Sequence, residues 1–265
     1  MKNKALVYPV LILLISLIIY LIYPSSGNNK TELDISPISN STFNYLPTST
    51  TSQIVSHKYY TLSYSEPHEQ AEWVAYELKK EHLSFTNRKR PLFELDKKVR
   101  TKSAHWGNYK NSGYSKGHLL PAGDRKFSND AFNETFLTSN VSPQKLDFNA
   151  GVWNRLEQKV RYWVGKERQL YVITGGILNG NLSTIGKEKV AVPKQFYKIL
   201  LDYSQPEIKA IAFLVPHKES KQSLFDFVVS IDTIERLTSI DFFPSLADGL
   251  ETQLESSSDY KNWSF

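Results

Sequence analysis

The first part of the chain differs sharply from the rest in its pattern of polar and apolar residues. Residues 5–24 carry no charge, are dominated by Leu, Ile, Val and Tyr, and have no polar face. Such a run, when helical, is about the length that crosses the hydrocarbon core of a bilayer. Lys2 and Lys4 precede it, and positive residues there favour a cytoplasmic N-terminus and export of the rest of the chain. We predict a membrane anchor within residues 1–24, with a cleaved signal sequence and a secreted domain as the alternative.

The next region has the composition of a connection between this anchor and a folded domain. Residues 25–56 are rich in Ser, Thr, Asn and Pro and contain few large apolar side chains. This composition is typical of a flexible polar linker. Aromatic and apolar residues become frequent near His57, so we predict one folded domain over residues 57–265. A domain of about 200 residues is long enough to bury a sizeable core.

Within the predicted domain, strand-like and helix-like patterns succeed one another without a regular order. Apolar or alternating runs predict strands over residues 58–65, 114–120, 169–174, 190–202 and 208–216. Apolar residues at helical spacing predict helices over residues 69–81, 129–135, 150–166 and 230–237. Because the two kinds of element do not alternate as βαβ units, the predicted fold class is α+β.

Composition narrows the chemistry that the domain can perform. The chain has no cysteine, which excludes thiolate nucleophiles, iron–sulfur clusters and Cys-based zinc sites. A net charge of +5 is by itself weak evidence for a polyanionic partner. The placement of the charge is more informative, because residues 86–126 contain many Lys and Arg residues and few acidic ones. A stripe of this kind attracts a phosphate backbone.

Polar side chains with catalytic potential lie in three segments, residues 114–119, 138–144 and 149–157. Phosphodiester hydrolysis needs a base for water, a cation for the developing charge, and groups that hold the phosphate. A neutral histidine such as His118 accepts a proton near pH 7, and Mg²⁺ keeps several waters beside one or two protein oxygens. In the third segment, Asn149 and Glu157 fall on one face of a helix, with a drift of roughly 40° per four residues.

Each of these residues also has a purely structural interpretation. A single histidine on a strand is usually structural, and Asn149 at a helix start could be its N-cap. Trp153 fits the core better than a platform for a ligand, and Glu157 could pair with Arg161 one turn later. The combination of the three segments favours a functional site over these separate explanations.

The three segments together resemble the signature of the DNA/RNA non-specific endonuclease family, which includes mitochondrial endonuclease G. That signature is Asp-Arg-Gly-His, then Asn-x-x-Pro-Gln, then Asn-x-x-x-Trp-x-x-x-Glu. The second element matches from Asn140 to Gln144 and the third from Asn149 to Glu157, whereas the first matches in part. Three motifs at this spacing are specific to the family and are not expected to match by chance.

The resemblance extends beyond the motifs and implies a fold. Residues 71–76 resemble the family's early helix, and residues 234–244 resemble its C-terminal segment, so the likeness covers about residues 57–255. The implied fold is a ββα-metal (His-Me finger) motif in a domain built on a central, mostly antiparallel sheet with flanking helices. The implied activity is metal-dependent cleavage of DNA and RNA to 5′-phosphate ends.

The resemblance also implies roles for individual residues. His118 matches the histidine that activates water. Asn149 matches the one direct protein ligand of Mg²⁺, for which Mn²⁺ is an alternative, and Glu157 matches the acid that hydrogen-bonds metal-bound water. Membership would therefore make DNA and RNA the substrates and a divalent metal the cofactor.

The first motif departs from the family's pattern. The family's Asp-Arg is replaced by Ser115 and Lys116, and lysine lacks the planar fork with which arginine grips a phosphate by two bonds. We expect lower activity or altered preference rather than loss. Asn140 matches an asparagine that supports the site, and Arg88 or Arg90 matches an upstream arginine that steadies the phosphate.

Three functions compete on the sequence alone. The first is an active nuclease anchored in the cytoplasmic membrane, with its domain on the periplasmic or extracellular face. The second is a nucleic-acid-binding protein with a weakened site, which only Lys116 supports. The third is a tethered adhesion module, which leaves the motifs unexplained. A homodimer remains open in each case.

Overall fold

The computed structural model describes residues 43–84 and 86–264. The predicted anchor over residues 1–24 and the first part of the predicted linker lie outside the described residues. Among the residues that are described, no helix combines the length and the apolar character that crossing a membrane requires.

An antiparallel sheet forms the centre of the domain. Seven strands of the described residues join it in the order β1-β2-β3-β6-β9-β10-β11, and every neighbouring pair is antiparallel. They are β1 (Ile54–Ser56), β2 (Thr61–Ser65), β3 (Gln70–Lys79), β6 (Gln169–Gly176), β9 (Gln195–Asp202), β10 (Lys209–Pro216) and β11 (Val228–Val229). Two small antiparallel pairs lie outside it: β4 (Ser115–His118) with β5 (Val141–Gln144), and β7 (Thr184–Ile185) with β8 (Val190–Ala191). The α+β class with a mostly antiparallel sheet is confirmed.

Helices cover both faces of this sheet, so each face has its own core. The longer helices of the described residues are α1 (Asn129–Glu134), α2 (Asn154–Glu167), α3 (Ile231–Thr238) and α4 (Asp248–Glu255). Short 3₁₀ turns occur at Glu66–His68, Lys80–His82, Trp106–Tyr109, Ala122–Arg125, Thr138–Asn140 and Leu224–Phe227. Leu156 and Trp163 of α2 pack in one core, and Ile234 of α3 with Leu254 of α4 pack in the other.

The helix predicted over residues 69–81 is wrong, because this segment is strand β3. Its Ala, Glu and Leu residues favour a helix, but tertiary packing overrides local propensity. Trp73 and Ala75 point into one core, while Val74 and Tyr76 point into the other. A strand buried on both faces does not alternate between polar and apolar residues, so the two-residue period of a strand is not visible in its sequence. The family's expected early helix is therefore a strand here.

Other predicted elements are close to the observed ones, with shifted ends. The helix predicted over residues 150–166 begins as a regular α-helix at Asn154 and ends at Glu167. The helix predicted over residues 230–237 is α3, and the Ser230 hydroxyl caps it by accepting from the backbone N–H of Thr233. The strand predicted over residues 190–202 splits into β8 and β9.

Folded structure begins before the expected boundary at His57. The rings of Phe43 and Tyr203 stack with centroids 4.1 Å apart, and those of Tyr45 and Tyr171 stack at 4.4 Å. Residues 54–56 form an edge strand of the sheet. The part of the predicted linker that the structure describes therefore packs on the domain, because its scattered aromatic residues find partners on β6 and after β9.

The small β4–β5 pair and the helix that follows it form a ββα unit. In β4, Ser115 pairs with Gln144, and His118 pairs with Val141. One helical turn, Leu146–Phe148, and a kinked segment, Asn149–Trp153, lead from β5 into α2. All three motifs found in the sequence lie in this unit or directly beside it.

The two-sided core makes a stability prediction for the central strands. Leu200 of β9 is fully buried, whereas Leu92 is 85% exposed. Leu200→Ala should lower the free energy of unfolding by about 2–5 kcal/mol, because it removes buried methyl groups and leaves a cavity. Leu92→Ala, the matched control, should change it by less than about 0.5 kcal/mol. Urea denaturation followed by circular dichroism measures both, and equal effects would contradict the two-sided core.

Candidate active site

His118 lies at the end of β4 between two aromatic rings. Its ring centroid is 5.0 Å from that of Phe136, in an edge-on arrangement, and 5.5 Å from that of Phe93. The ring is partly accessible to solvent, but its Nε2 atom is buried and has no hydrogen-bond partner among the described residues. An imidazole in such surroundings is disfavoured in its charged form.

The electrostatic surroundings keep His118 neutral. Burial, together with the nearby charge of Arg90, lowers the pKa of His118 from 6.5 to about 3. The pKa falls because desolvation penalises the charged imidazolium and because the neighbouring cation repels it. The imidazole is therefore unprotonated throughout the neutral range, which is the state that a general base requires.

The structure separates the two candidate arginines. Arg90 is exposed, and its guanidinium carbon lies 5.5 Å from the ring centroid of Phe136, which also contacts His118. Arg88 instead donates through Nε to the carbonyl oxygen of Lys126 at 2.6 Å and through Nη1 to Asn129. Of the pair, Arg90 is the one placed beside the histidine.

Lys116 precedes His118 by two positions in β4 and lies over aromatic rings. Its Nζ atom is 5.2 Å from the ring centroid of Phe93 and 5.8 Å from that of Tyr109. Phe93 thus contacts both the lysine and the histidine. The ammonium is held as a point charge on the same side as His118, where an arginine would have offered a fork.

Asn149 is oriented by the serine that replaces the family's aspartate. The Asn149 amide nitrogen Nδ2 donates to the Ser115 hydroxyl oxygen at 3.2 Å, and that hydroxyl donates to the carbonyl oxygen of Gln144 at 2.8 Å. The nitrogen of the amide is thus engaged, and the Asn149 side chain is partly exposed. Its oxygen Oδ1 accepts no hydrogen bond from the described residues, and a hard cation prefers such a ligand.

The backbone at Asn149 is not the regular helix that the four-residue spacing assumes. The segment Asn149–Trp153 is a kink between two helical pieces, because Gly151 lies outside the helical region at φ −93° and ψ −111°. Trp153 is fully buried and stacks on Phe148, so its core interpretation is the correct one.

Glu157 pairs with Arg161 one turn later, as its structural interpretation predicted, and the pair belongs to a larger network of charges that the sequence did not reveal. Arg161 donates through Nε to Asp124 at 2.7 Å and lies 3.5 Å from the Glu157 carboxylate, while the Tyr76 hydroxyl donates to Asp124 at 3.0 Å. Burial raises the pKa of Glu157, and the charges of Lys198 and Arg161 oppose that rise.

Lys198 is the least expected member of this network. It is 1% exposed, its Nζ has no hydrogen-bond partner among the described residues, and it lies 4.9 Å from the Trp153 ring centroid. Burial lowers its pKa, and the Glu157 carboxylate opposes that effect. A lysine inside a predicted apolar strand is a usable sequence signal, because a charge is buried there only with a partner.

Two further motif residues support the backbone of β4. The Asn140 side chain is fully buried, and it accepts from the Leu120 N–H at 2.8 Å and donates to the Leu120 and Thr135 carbonyl oxygens. Asn140 therefore fixes the chain just after His118 rather than facing a substrate. Gln144 lies against Gly117, where any Cβ would collide with its side chain.

The surroundings of His118 lead to a titration prediction. In the metal-free chain, the His118 ring should stay neutral well below its ordinary pKa of 6.5. Arg90→Gln should raise this pKa, because it removes a repelling charge, and Arg88→Gln is the matched control that should leave it unchanged. Ring chemical shifts followed by NMR against pH measure the three values. Titration of the unaltered chain near 6.5, or a larger effect of Arg88→Gln, would contradict this site geometry.

Similarity to known proteins agrees with this geometry. Residues 39–249 match the family described as DNA/RNA non-specific endonuclease. The chain is 37% identical over 214 residues to the mitochondrial nuclease EXOG of Danio rerio, covering 71% of this chain and 61% of that protein. It is 33% identical over 215 residues to a nuclease of Nostoc sp., covering 76% of each. The alignments span less than two thirds of the EXOG relatives' own length.

Endonuclease G is similar in both sequence and structure. The human mitochondrial protein is 31% identical over 209 residues, which cover 73% of this chain and 70% of that protein. A solved complex of EndoG with EndoGI, described as showing how EndoG is inhibited, superimposes with a TM-score of 0.70 at 27% identity, covering 74% of this chain and 87% of that one. The similarity confirms the resemblance seen in the three motifs, and the chain is a member of the DNA/RNA non-specific endonuclease family.

Proposed function

We propose that this chain is a metal-dependent endonuclease that hydrolyses phosphodiester bonds in DNA and RNA and leaves 5′-phosphate ends. One observation carries the proposal. A single strand, β4, holds the neutral imidazole of His118 and also, through Ser115, a hydrogen bond to the Asn149 amide. A protein that only binds nucleic acid needs neither a base nor an oriented amide oxygen.

His118 supplies the base in this proposal. Its unprotonated ring accepts a proton from a water molecule, which attacks the phosphorus while the 3′-oxygen leaves with a proton from solvent. The phosphate stays on the 5′-oxygen of the downstream nucleotide, which gives the 5′-phosphate end. Arg90, beside the histidine, and Lys116, over Phe93, are placed to hold phosphate oxygens as negative charge develops.

Asn149 and Glu157 would hold the metal. A hard cation with oxygen ligands suits the Asn149 Oδ1 atom, and Mg²⁺, which keeps several waters, needs few protein ligands. Such an ion, when bound, stabilises the charge on the phosphate and on the leaving oxygen. The Glu157 carboxylate would accept hydrogen bonds from water at such an ion, and Arg161, 3.5 Å away, helps to hold that carboxylate in position. Mn²⁺ prefers the same kinds of ligand as Mg²⁺ and should substitute for it.

Cleavage assays on the full chain test this assignment. Plasmid DNA and RNA should be cut in Mg²⁺ and left intact in EDTA. His118→Ala should lower the rate by about 10²–10⁴-fold while leaving folding and nucleic-acid binding in place, because only proton transfer is lost. Asn149→Ala should lose activity through metal affinity and recover part of it at high Mg²⁺.

The matched control for the base is His68→Ala, since His68 lies in the Glu66–His68 turn and bonds Ser65 at 2.7 Å. That variant should cut at the unaltered rate. A folded, unaltered chain that cuts neither substrate in Mg²⁺ or Mn²⁺ would instead favour the weakened nucleic-acid-binding protein.

Ser115 makes a separate prediction about positioning. Ser115→Ala frees the Asn149 amide to rotate, so about 10–100-fold more Mg²⁺ should be needed for half-maximal cleavage, with the maximal rate largely recovered. Ser112→Ala is the matched control, because its hydroxyl bonds the Tyr109 carbonyl oxygen and not Asn149. An unchanged Mg²⁺ requirement in Ser115→Ala would remove Ser115 from this role.

A further inference from the structure

Five carboxylates converge where α3, the segment after it and α4 meet. This cluster packs beside the core that faces away from α2, and so lies apart from the catalytic helix. Oxygen atoms of Asp232, Glu235 and Glu255 lie within 4.8 Å of one another, and so do those of Asp241, Glu251 and Glu255. Glu255 belongs to both groups and is therefore the centre of what we call the carboxylate cluster.

Glu255 is buried without a partner. The residue is 7% exposed, and its Oε1 atom is buried and has no hydrogen-bond partner within the described ranges. It is also the last residue of α4, where the helix dipole disfavours a negative charge. A buried carboxylate oxygen is normally bonded, paired with a cation or bound to a metal.

Nothing in the described part of the chain neutralises the cluster. None of its five carboxylates forms an ion pair with a lysine or arginine among the described residues. The neighbouring Arg236 donates instead to the Thr233 hydroxyl at 2.9 Å. One Glu235 oxygen accepts from the Phe242 N–H at 2.9 Å, which fixes that carboxylate in place but adds no charge.

Repulsion among the carboxylates of the cluster helps to raise their pKa values. Burial and the charges of Glu235, Glu251, Asp241 and Asp232 raise the pKa of Glu255 to about 8. Burial and neighbouring acids raise the pKa values of Glu235 and Glu251 as well. A proton would relieve this repulsion in part, and a divalent cation would relieve it more fully because it attracts every carboxylate at once.

We propose that the carboxylate cluster binds one Ca²⁺ ion. The donors are all carboxylate oxygens, with no histidine or cysteine, which fits a hard cation rather than zinc. Ca²⁺ takes six to eight oxygens in flexible geometry, whereas Mg²⁺ demands a near-ideal octahedron and usually takes one or two carboxylates. Acids from two helices and a loop, arranged around a shared Glu255, suit the larger ion.

The bound ion would join α4 to the rest of the domain. Asp232 and Glu235 belong to α3, Asp241 to the segment after that helix, and Glu251 and Glu255 to α4. Apart from this ion, α4 is held mainly by apolar packing such as that of Leu254. Because a ligand that binds only the folded state stabilises it, Ca²⁺ should raise the melting temperature.

The experiment uses the full chain carrying Asn149→Ala, so that the catalytic amide contributes no metal binding. After removal of metal with EDTA and dialysis, Ca²⁺ binding is measured by titration calorimetry and melting by circular dichroism, without nucleic acid. We expect one Ca²⁺ per chain and a melting temperature higher by about 5 °C or more at roughly one hundred times the dissociation constant. Mg²⁺ at equal concentration should give a smaller shift.

Two variants in the same background localise the site. Glu255→Gln should melt at an equal or higher temperature in EDTA, because repulsion is relieved, yet it should bind no Ca²⁺ and show no shift. Glu251→Gln, at a more exposed position, should weaken Ca²⁺ binding at least about tenfold. Glu219→Gln, an exposed acid outside the cluster, is the matched control and should respond like its parent.

The proposal fails if the Asn149→Ala chain shows neither Ca²⁺ binding nor a Ca²⁺-dependent shift. It fails equally if Glu255→Gln binds and shifts as its parent does, or if Mg²⁺ matches Ca²⁺. The carboxylate cluster does not rest on the proposed nuclease function, since the measurement needs no cleavage and is made without the Asn149 amide.

Discussion

The packing of α2 against the sheet is the constraint on which the site depends. Asn149 lies just before this helix and Glu157 lies within it, whereas His118 is carried by β4. Leu156 and Trp163 are fully buried, so the helix cannot slide along the sheet without opening the core. Polar groups from separate segments therefore keep one arrangement, and the apolar contacts behind them set it.

Local signals in the sequence predicted local features well. The end of α2, the helix predicted over residues 230–237 and the extended segment before His118 each depend on a few neighbouring residues. The same local logic failed for β3, where propensity favoured a helix and two-sided burial decided for a strand. It also missed the folded character of residues 43–56, whose partners are distant in sequence.

The site showed a similar division. The motifs identified His118, Asn149 and Glu157 as candidates because the family resemblance fixes their spacing. The preference for Arg90 over Arg88 needed the position of the Phe136 ring, and the role proposed for Ser115 needed its contact with Asn149. Both depend on contacts across long separations, which spacing along a single chain does not encode.

Buried charge is handled in two different ways in this domain. Beside α2, Asp124 and Glu157 face Arg161 and Lys198, so two acids meet two bases within the network. Around Glu255, acids meet acids, and no basic partner is present in the part of the chain that the structure describes. In the first arrangement the charges of the side chains match one another, whereas the second carries a negative charge that a cation from outside would balance.

The packed segment before β1 has a mechanical consequence. The Thr48 N–H donates to the Asp241 carbonyl oxygen at 2.9 Å, and the Asp241 N–H donates to the Thr48 hydroxyl at 2.8 Å. The Trp73 indole adds a bond to the Thr48 carbonyl oxygen at 2.8 Å. A pull entering the domain at Phe43 would load these bonds and the nearby ring stacks before it reached the hydrogen-bond ladder of β1. The edge strand β1 is thereby spared tension applied at that end, which passes instead to β3 through Trp73 and to β6 through Tyr171.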